Sequence, residues 1–128
     1  MAAEYWKLIK YFEAKEFDSP DEVESGGEKM DEKLIKAIDY VRQQIEQPLY
    51  INSGYRTERH NAEVGGVPNS QHRLGKACDV RIHSQEMGDS IEYWFKDFVG
   101  EDCGIGRYDT FIHIDTRDKK ARWDNRSK

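Results

Sequence analysis

Two stretches of this chain carry apolar residues at helical spacing. Between residues 31 and 47, Leu34, Ile35, Ile38, Val41 and Ile45 fall on one stripe, Asp31 stands where an N-cap belongs, and Pro48 closes the run. Between 85 and 99, Met87, Ile91, Trp94, Phe95 and Phe98 share a face, which reads as a second core helix. A weaker signal from Trp6, Leu8 and Ile9 predicts a short amphipathic helix within 3–14. It breaks at Phe17-Asp18-Ser19-Pro20, because proline keeps the preceding residue out of the helical region. Residues 21–29 are polar and acidic around Gly26-Gly27 and read as an exposed loop whose acidic groups are solvated.

Strand signals fill the gaps. Residues 77–82 alternate, with Ala77, Asp79 and Arg81 on one face and Cys78, Val80 and Ile82 on the other. Leu49-Tyr50-Ile51 predicts a short strand that delivers Ser53-Gly54-Tyr55-Arg56 at its end. Thr57 then caps a helix to about Val64, closed by Gly65-Gly66 and Pro68. Gly104-Ile105-Gly106 leads into a last strand over Arg107–Thr116, with a turn near Asp118-Lys119. The expected architecture is one α+β domain over 1–128, with helices packed on one side of a small, mostly antiparallel sheet.

Composition narrows the class. A chain of 128 residues is long enough for one core without staples. With 25 acidic against 20 basic residues the net charge is −5, which argues against a surface that tracks phosphates, so nucleic acid is not expected as a partner. Two cysteines, Cys78 and Cys103, have no metal-type spacing and read as buried thiols. The first ten residues are charged throughout, so neither a secretory signal nor a membrane span is expected. The expectation is a monomer, cytoplasmic as synthesised.

Chemistry concentrates in Ser70-Gln71-His72-Arg73-Leu74-Gly75-Lys76-Ala77-Cys78-Asp79. It sets His72 on a loop and Asp79 on the following strand, joined by a turn that Gly75 permits. His113, in Phe111-Ile112-His113-Ile114-Asp115, supplies a third candidate. Two imidazoles and one carboxylate, with a fourth position left open, form the ligand set of a catalytic zinc. The imidazoles must be neutral to bind, so affinity should fall in acid. His60 and His83 read as surface residues.

Three of these stretches resemble one family. The first matches the S-x-H-x-x-G-x-A-x-D pattern of the zinc D-alanyl-D-alanine carboxypeptidases and related peptidoglycan peptidases. His113-Ile114-Asp115-Thr116-Arg117 looks like the H-x-D-x-R strand of their short bacterial and phage branch, and Ser53-Gly54-Tyr55-Arg56 resembles their arginine motif. The likeness runs from about Phe17 to Trp123. It implies a Zn2+-dependent hydrolase cutting peptide bonds in peptidoglycan stem peptides, as a carboxypeptidase or an endopeptidase, in keeping with a phage or prophage lysis enzyme that reaches the wall once released. It also implies that Arg56 steadies developing negative charge, and that Ser70 and Gln71 shape the ligand loop. Trp123 is expected to pin the C-terminal segment by packing. The rival reading is a metal-stabilised binding module without catalysis, as in Hedgehog-like proteins with the same ligand set.

One departure from the family matters. Many relatives carry Glu or Asp three residues before the last histidine ligand, where this chain has Thr110. If Arg107–Thr116 is one strand, alternation puts Asp109, His113 and Asp115 on one face. Asp115 is the first candidate for the general base and Asp109 the second. The other expected role for Asp115 is to orient a histidine or to pair with Arg117.

Overall fold

The computed structural model describes residues 2–127 and shows an α+β fold. Helices α1 (Ser25–Lys29), α2 (Glu32–Ile45), α3 (Glu58–Glu63) and α4 (Gln85–Val99) accompany strands β1 (Ile51–Ser53), β2 (Ala77–Arg81), β3 (Gly104–Arg107), β4 (Phe111–Asp115) and β5 (Ala121–Asp124). The strands form one sheet in the order β1-β2-β4-β3-β5. Every neighbouring pair is antiparallel except β3 with β5, so the sheet is mixed.

The two long helices form where the apolar stripes predict them. The Asp31 side chain accepts the Leu34 amide and the Ser84 side chain accepts the Met87 amide, so each first turn has a partner for an otherwise orphaned donor. Leu34, Ile35, Ile38 and Val41 of α2 meet Met87, Ile91 and Phe95 of α4 over Val80, Ile105, Ile112 and Ile114 of the sheet, all within one buried cluster. Phe98 departs from its expected place. It is 43% exposed and lies against Tyr40, with ring centroids 5.2 Å apart.

Alternation leaves the opposite face of the sheet for polar groups, and cross-strand register lines them up. Ser53 pairs with Asp79, Asp79 with His113, His113 with Gly106, and Gly106 with Trp123. One row therefore crosses all five strands. An irregularity between Ile51 and Ser53 brings Ser53 into that row. The adjacent row is Ala77, Asp115, Gly104 and Ala121, small side chains around one carboxylate.

Four expectations need correction. The N-terminal stretch forms two 3-10 turns, Glu4–Leu8 and Ala14–Phe17, in place of an amphipathic helix. Residues 25–29 are a short helix with Ser25, Gly26 and Gly27 buried, in place of an exposed loop. The cause is contact between backbones. A side chain on Gly26 would run into the carbonyl of Ala14, and the Gly26 amide donates to Asp18 Oδ1 at 2.8 Å. Third, the strand expected over Arg107–Thr116 is two strands joined by a turn at Tyr108-Asp109-Thr110, and Gly104-Ile105-Gly106 belongs to the first of them. The strand before Ser53 also begins later than expected, at Ile51.

The arm formed by residues 2–30 packs behind the ligand loop. Phe17 is fully buried, with Trp6 and Phe12 rings 5.8 and 5.7 Å from its own. Its carbonyl accepts the Tyr55 amide at 2.9 Å, and a side chain on Gly54 would meet Phe17 Cα at 2.7 Å. Gly75, in the left-handed region at φ 72°, presses on the carbonyl of Lys29 so closely that no side chain fits, and its own carbonyl accepts the Asp31 amide at 2.8 Å.

Candidate metal centre

His72 sits in the 3-10 turn Gln71–Leu74, which Ser70 caps by accepting the His72 amide, and Gly75 ends the turn. Asp79 and His113 face each other across β2 and β4. One ligand atom from each of His72, Asp79 and His113 lies within 4.8 Å of the others. His72 Nε2 is 3.3 Å and His113 Nδ1 is 2.9 Å from the same Asp79 oxygen, Oδ1. Tetrahedral zinc with bonds of about 2.0–2.2 Å separates its ligand atoms by roughly 3.3–3.5 Å, so the first spacing already suits the ion and the second is slightly short.

The far side of each imidazole is fixed. His72 Nδ1 is 2.8 Å from the Gly54 carbonyl, which only accepts, so this nitrogen carries the hydrogen and Nε2 presents a lone pair. His113 Nε2 donates to Asp115 Oδ2 at 2.7 Å, which frees Nδ1 for the same point. Histidine ligands are commonly held in this way by a carbonyl or carboxylate behind the ring. The donor set and its backing fit zinc.

Asp115 is fully buried and both its oxygens are engaged. Oδ1 accepts the amide and Nε of Arg117 at 3.1 and 2.8 Å, and Oδ2 accepts Arg117 Nη2 and His113 Nε2, each at 2.7 Å. Side chains on Gly104 would occupy the space that this carboxylate fills. Burial alone would raise the Asp115 carboxyl, but hydrogen bonds from Arg117 and His113 outweigh it and hold it well below the usual carboxylate range. Asp79 is held down in the same direction, with the His113 and His72 imidazoles that face its carboxylate outweighing burial. Burial would lower the His113 imidazole, but the two carboxylates that flank it raise it instead.

The centre forms the floor of a cleft of about 490 Å³, lined among others by Arg56, Ser70, Gln71, Tyr108, Arg117 and Trp123. Arg56 is braced at three nitrogens: Nε on Ser53 Oγ at 3.1 Å, Nη1 on Asn61 Oδ1 at 3.3 Å, and Nη2 facing Asp79 Oδ2 at 3.5 Å. It therefore touches the ligand carboxylate as well as the cleft. Asp109 is elsewhere. It belongs to the β3–β4 turn, where it accepts the amide and hydroxyl of Ser127 at 2.9 and 2.6 Å, in a separate hollow with Gln85, Asp124 and Arg126. The shared face expected for Asp109 and His113 does not exist, because the turn interrupts the alternation. His60 and His83 also lie outside the cleft lining.

Sequence reasoning missed three contributors. Trp123 faces the cleft and does more than anchor the C-terminus: its ring lies 5.1 Å from His113 and 5.3 Å from the Arg117 guanidinium, and its Nε1 donates to the Tyr108 hydroxyl at 2.8 Å. Tyr108 stacks on Phe111 with centroids 4.2 Å apart. Gly106 leaves the bare strand on which the Trp123 indole rests. The glycines two apart in β3 were the available signal, readable only once β3 is known to flank β4.

Residues 10–115 match the family model described as peptidase M15. The match spans most of the chain, which therefore belongs to the peptidase M15 family, zinc-dependent metallopeptidases, and the group formed by His72, Asp79 and His113 could hold that ion. No curated protein matches the chain.

Proposed function

We propose that this chain hydrolyses peptide bonds in peptidoglycan, in stem peptides that contain D-amino acids, with zinc held by His72, Asp79 and His113. The observation that carries the reading is the pair of backed imidazoles: His72 Nδ1 on the Gly54 carbonyl and His113 Nε2 on Asp115 leave two lone pairs aimed at one carboxylate oxygen in an open cleft. Zinc, when bound, supplies a Lewis acid and acidifies the attacking water.

The chain's own residues then divide the remaining tasks. Asp115 holds the His113 ring and its tautomer, with Arg117 keeping that carboxylate ionised. Ser70 fixes the start of the ligand turn and Gln71 lines the cleft beside it. Arg56 steadies Asp79 and offers its remaining hydrogens to an anionic oxygen on the substrate. As a cell-wall enzyme the protein would act once released from the cell that makes it. Among the described residues no helix is long and apolar enough to cross a membrane.

A second reading has one observation in its favour. Among the described residues Asp79 is the sole carboxylate in the cleft lining, and as a ligand it is already committed, so none of them offers the substrate a spare carboxylate as a general base. That pattern would also suit a metal-stabilised module that binds wall peptides without cutting them. Incubating purified sacculi with the protein, with and without added zinc, separates the two. Zinc-dependent release of peptides supports hydrolysis, and mass analysis of the fragments distinguishes loss of a terminal residue from cleavage within a stem or crosslink. Retention on sacculi without release would establish the binding module.

A further inference from the structure

We propose that the Tyr108 hydroxyl is a further catalytic group of this cleft, a hydrogen-bond donor to the substrate carbonyl oxygen as that oxygen gains negative charge, aimed by the indole N–H of Trp123. The proposal rests on the peptidase reading above.

The two arginines of the cleft have nitrogens committed to other side chains. Arg56 spends one bond from each nitrogen on Ser53, Asn61 and Asp79, and Arg117 directs Nε and Nη2 to Asp115. The Tyr108 hydroxyl stands in a different position. An indole nitrogen only donates, so the bond from Trp123 Nε1 takes a lone pair of the hydroxyl oxygen and leaves its hydrogen free. Among the described residues nothing accepts that hydrogen, while the residue lines the same cleft as His72, Asp79 and His113.

Both rings are held rigidly, as a preorganised donor requires. Tyr108 lies flat on Phe111, with centroids 4.2 Å and planes 11° apart. Trp123 rests on the bare backbone of Gly106, in register with the row that carries His113 and Asp79. The hydroxyl keeps its proton throughout, so no bond is made or broken at it. Trp123 is a positioning residue.

Tyr108→Phe keeps the stack and removes only the oxygen, and Trp123→Phe keeps a ring on Gly106 and removes only the N–H. With zinc loaded at wild-type stoichiometry, Tyr108→Phe is expected to lower kcat on a stem peptide about 10²-fold with little change in KM, the scale for removing one such donor. Trp123→Phe should lose part of the same kcat, again with little change in KM, because only the aim of the hydroxyl is lost. A raised KM with intact kcat, or no change, overturns the proposal. A second arm stands apart from turnover: a phosphinate analogue of a D-Ala-D-Ala dipeptide, a tetrahedral anion, should bind zinc-loaded Tyr108→Phe roughly 10-fold or more weakly than wild type. Should wild type fail to cleave any wall peptide, the peptidase reading falls, and the phosphinate arm still decides the hydroxyl's part. Equal affinities there overturn it.

Discussion

The carboxylate of Asp115 lies in the space that a side chain on Gly104 would need. The two residues are register partners on β3 and β4, so the glycine is what allows a fully buried carboxylate to lie against the strand and reach His113 and Arg117 together. The smallest substitution there should therefore be felt at the metal. We expect Gly104→Ala to weaken zinc binding by about 10–100-fold, the range for disturbing a partner behind a histidine ligand. Competition against a chromogenic chelator measures this, and affinity equal to wild type would show that Asp115 does not orient His113.

The ligands themselves leave no redundancy. We expect His113→Ala and Asp79→Ala each to lose stoichiometric zinc, because two protein ligands remain of three. Metal analysis of the purified variants checks this, and one zinc per chain in both would remove the proposed site.

Arg56→Ala is expected to retain zinc, with some loss of affinity through Asp79, and to lose kcat/KM by about 10²-fold. Lysine should restore only part of that, since a point charge cannot meet Ser53, Asn61 and Asp79 together. Steady-state kinetics at saturating zinc decides the matter.

Asparagine substitution separates Asp115 and Asp109 as candidate general bases. Asp115→Asn should weaken zinc binding, and activity should recover at excess zinc if the carboxylate only orients His113. Asp109→Asn should bind zinc and turn over as wild type does, because its partners are Ser127 and solvent. A large loss of kcat at full zinc loading in Asp115→Asn would restore it as the proton acceptor.

The zinc-induced rise in Tm should shrink as pH falls. In the metal-free fold the His113 pKa is raised above 6.5, so its protonation adds stability that is fully present in acid and lost as pH climbs through the raised value. Zinc needs the neutral ring, so acidification favours the metal-free form just where that form gains. The difference in Tm with and without zinc, followed from pH 8 to 6, should begin to fall above 6.5.

Much of this was legible along the chain. The stripes of α2 and α4 and the alternation of Asp79 against Cys78 and Val80 are local patterns, and local patterns report on local structure. His72, Asp79 and His113 lie close together, as their motifs implied. What failed was non-local. The arm is held by glycine backbones pressed on other backbones, which leaves no apolar periodicity to read. The turn at Tyr108-Asp109-Thr110 lacks glycine and proline, so β3 and β4 read as one strand and Asp109 fell on the wrong side of it. Trp123 reaches the cleft only because β5 pairs in parallel with β3, a crossover that no spacing announces.

The arm's grip on Gly54 and Gly75 makes it part of a thermodynamic linkage. Phe17 fixes the backbone whose carbonyl holds His72, and the Lys29–Asp31 junction fixes Gly75 at the end of the turn that carries His72. Whatever free energy zinc gains from a seated arm, the arm must gain from zinc, since coupling between two equilibria is reciprocal. A protease working on residues 2–30 would thus be slowed by the ion, and a chain clipped there would let the ion go more readily. The metal and the N-terminal segment guard each other across the thickness of the loop.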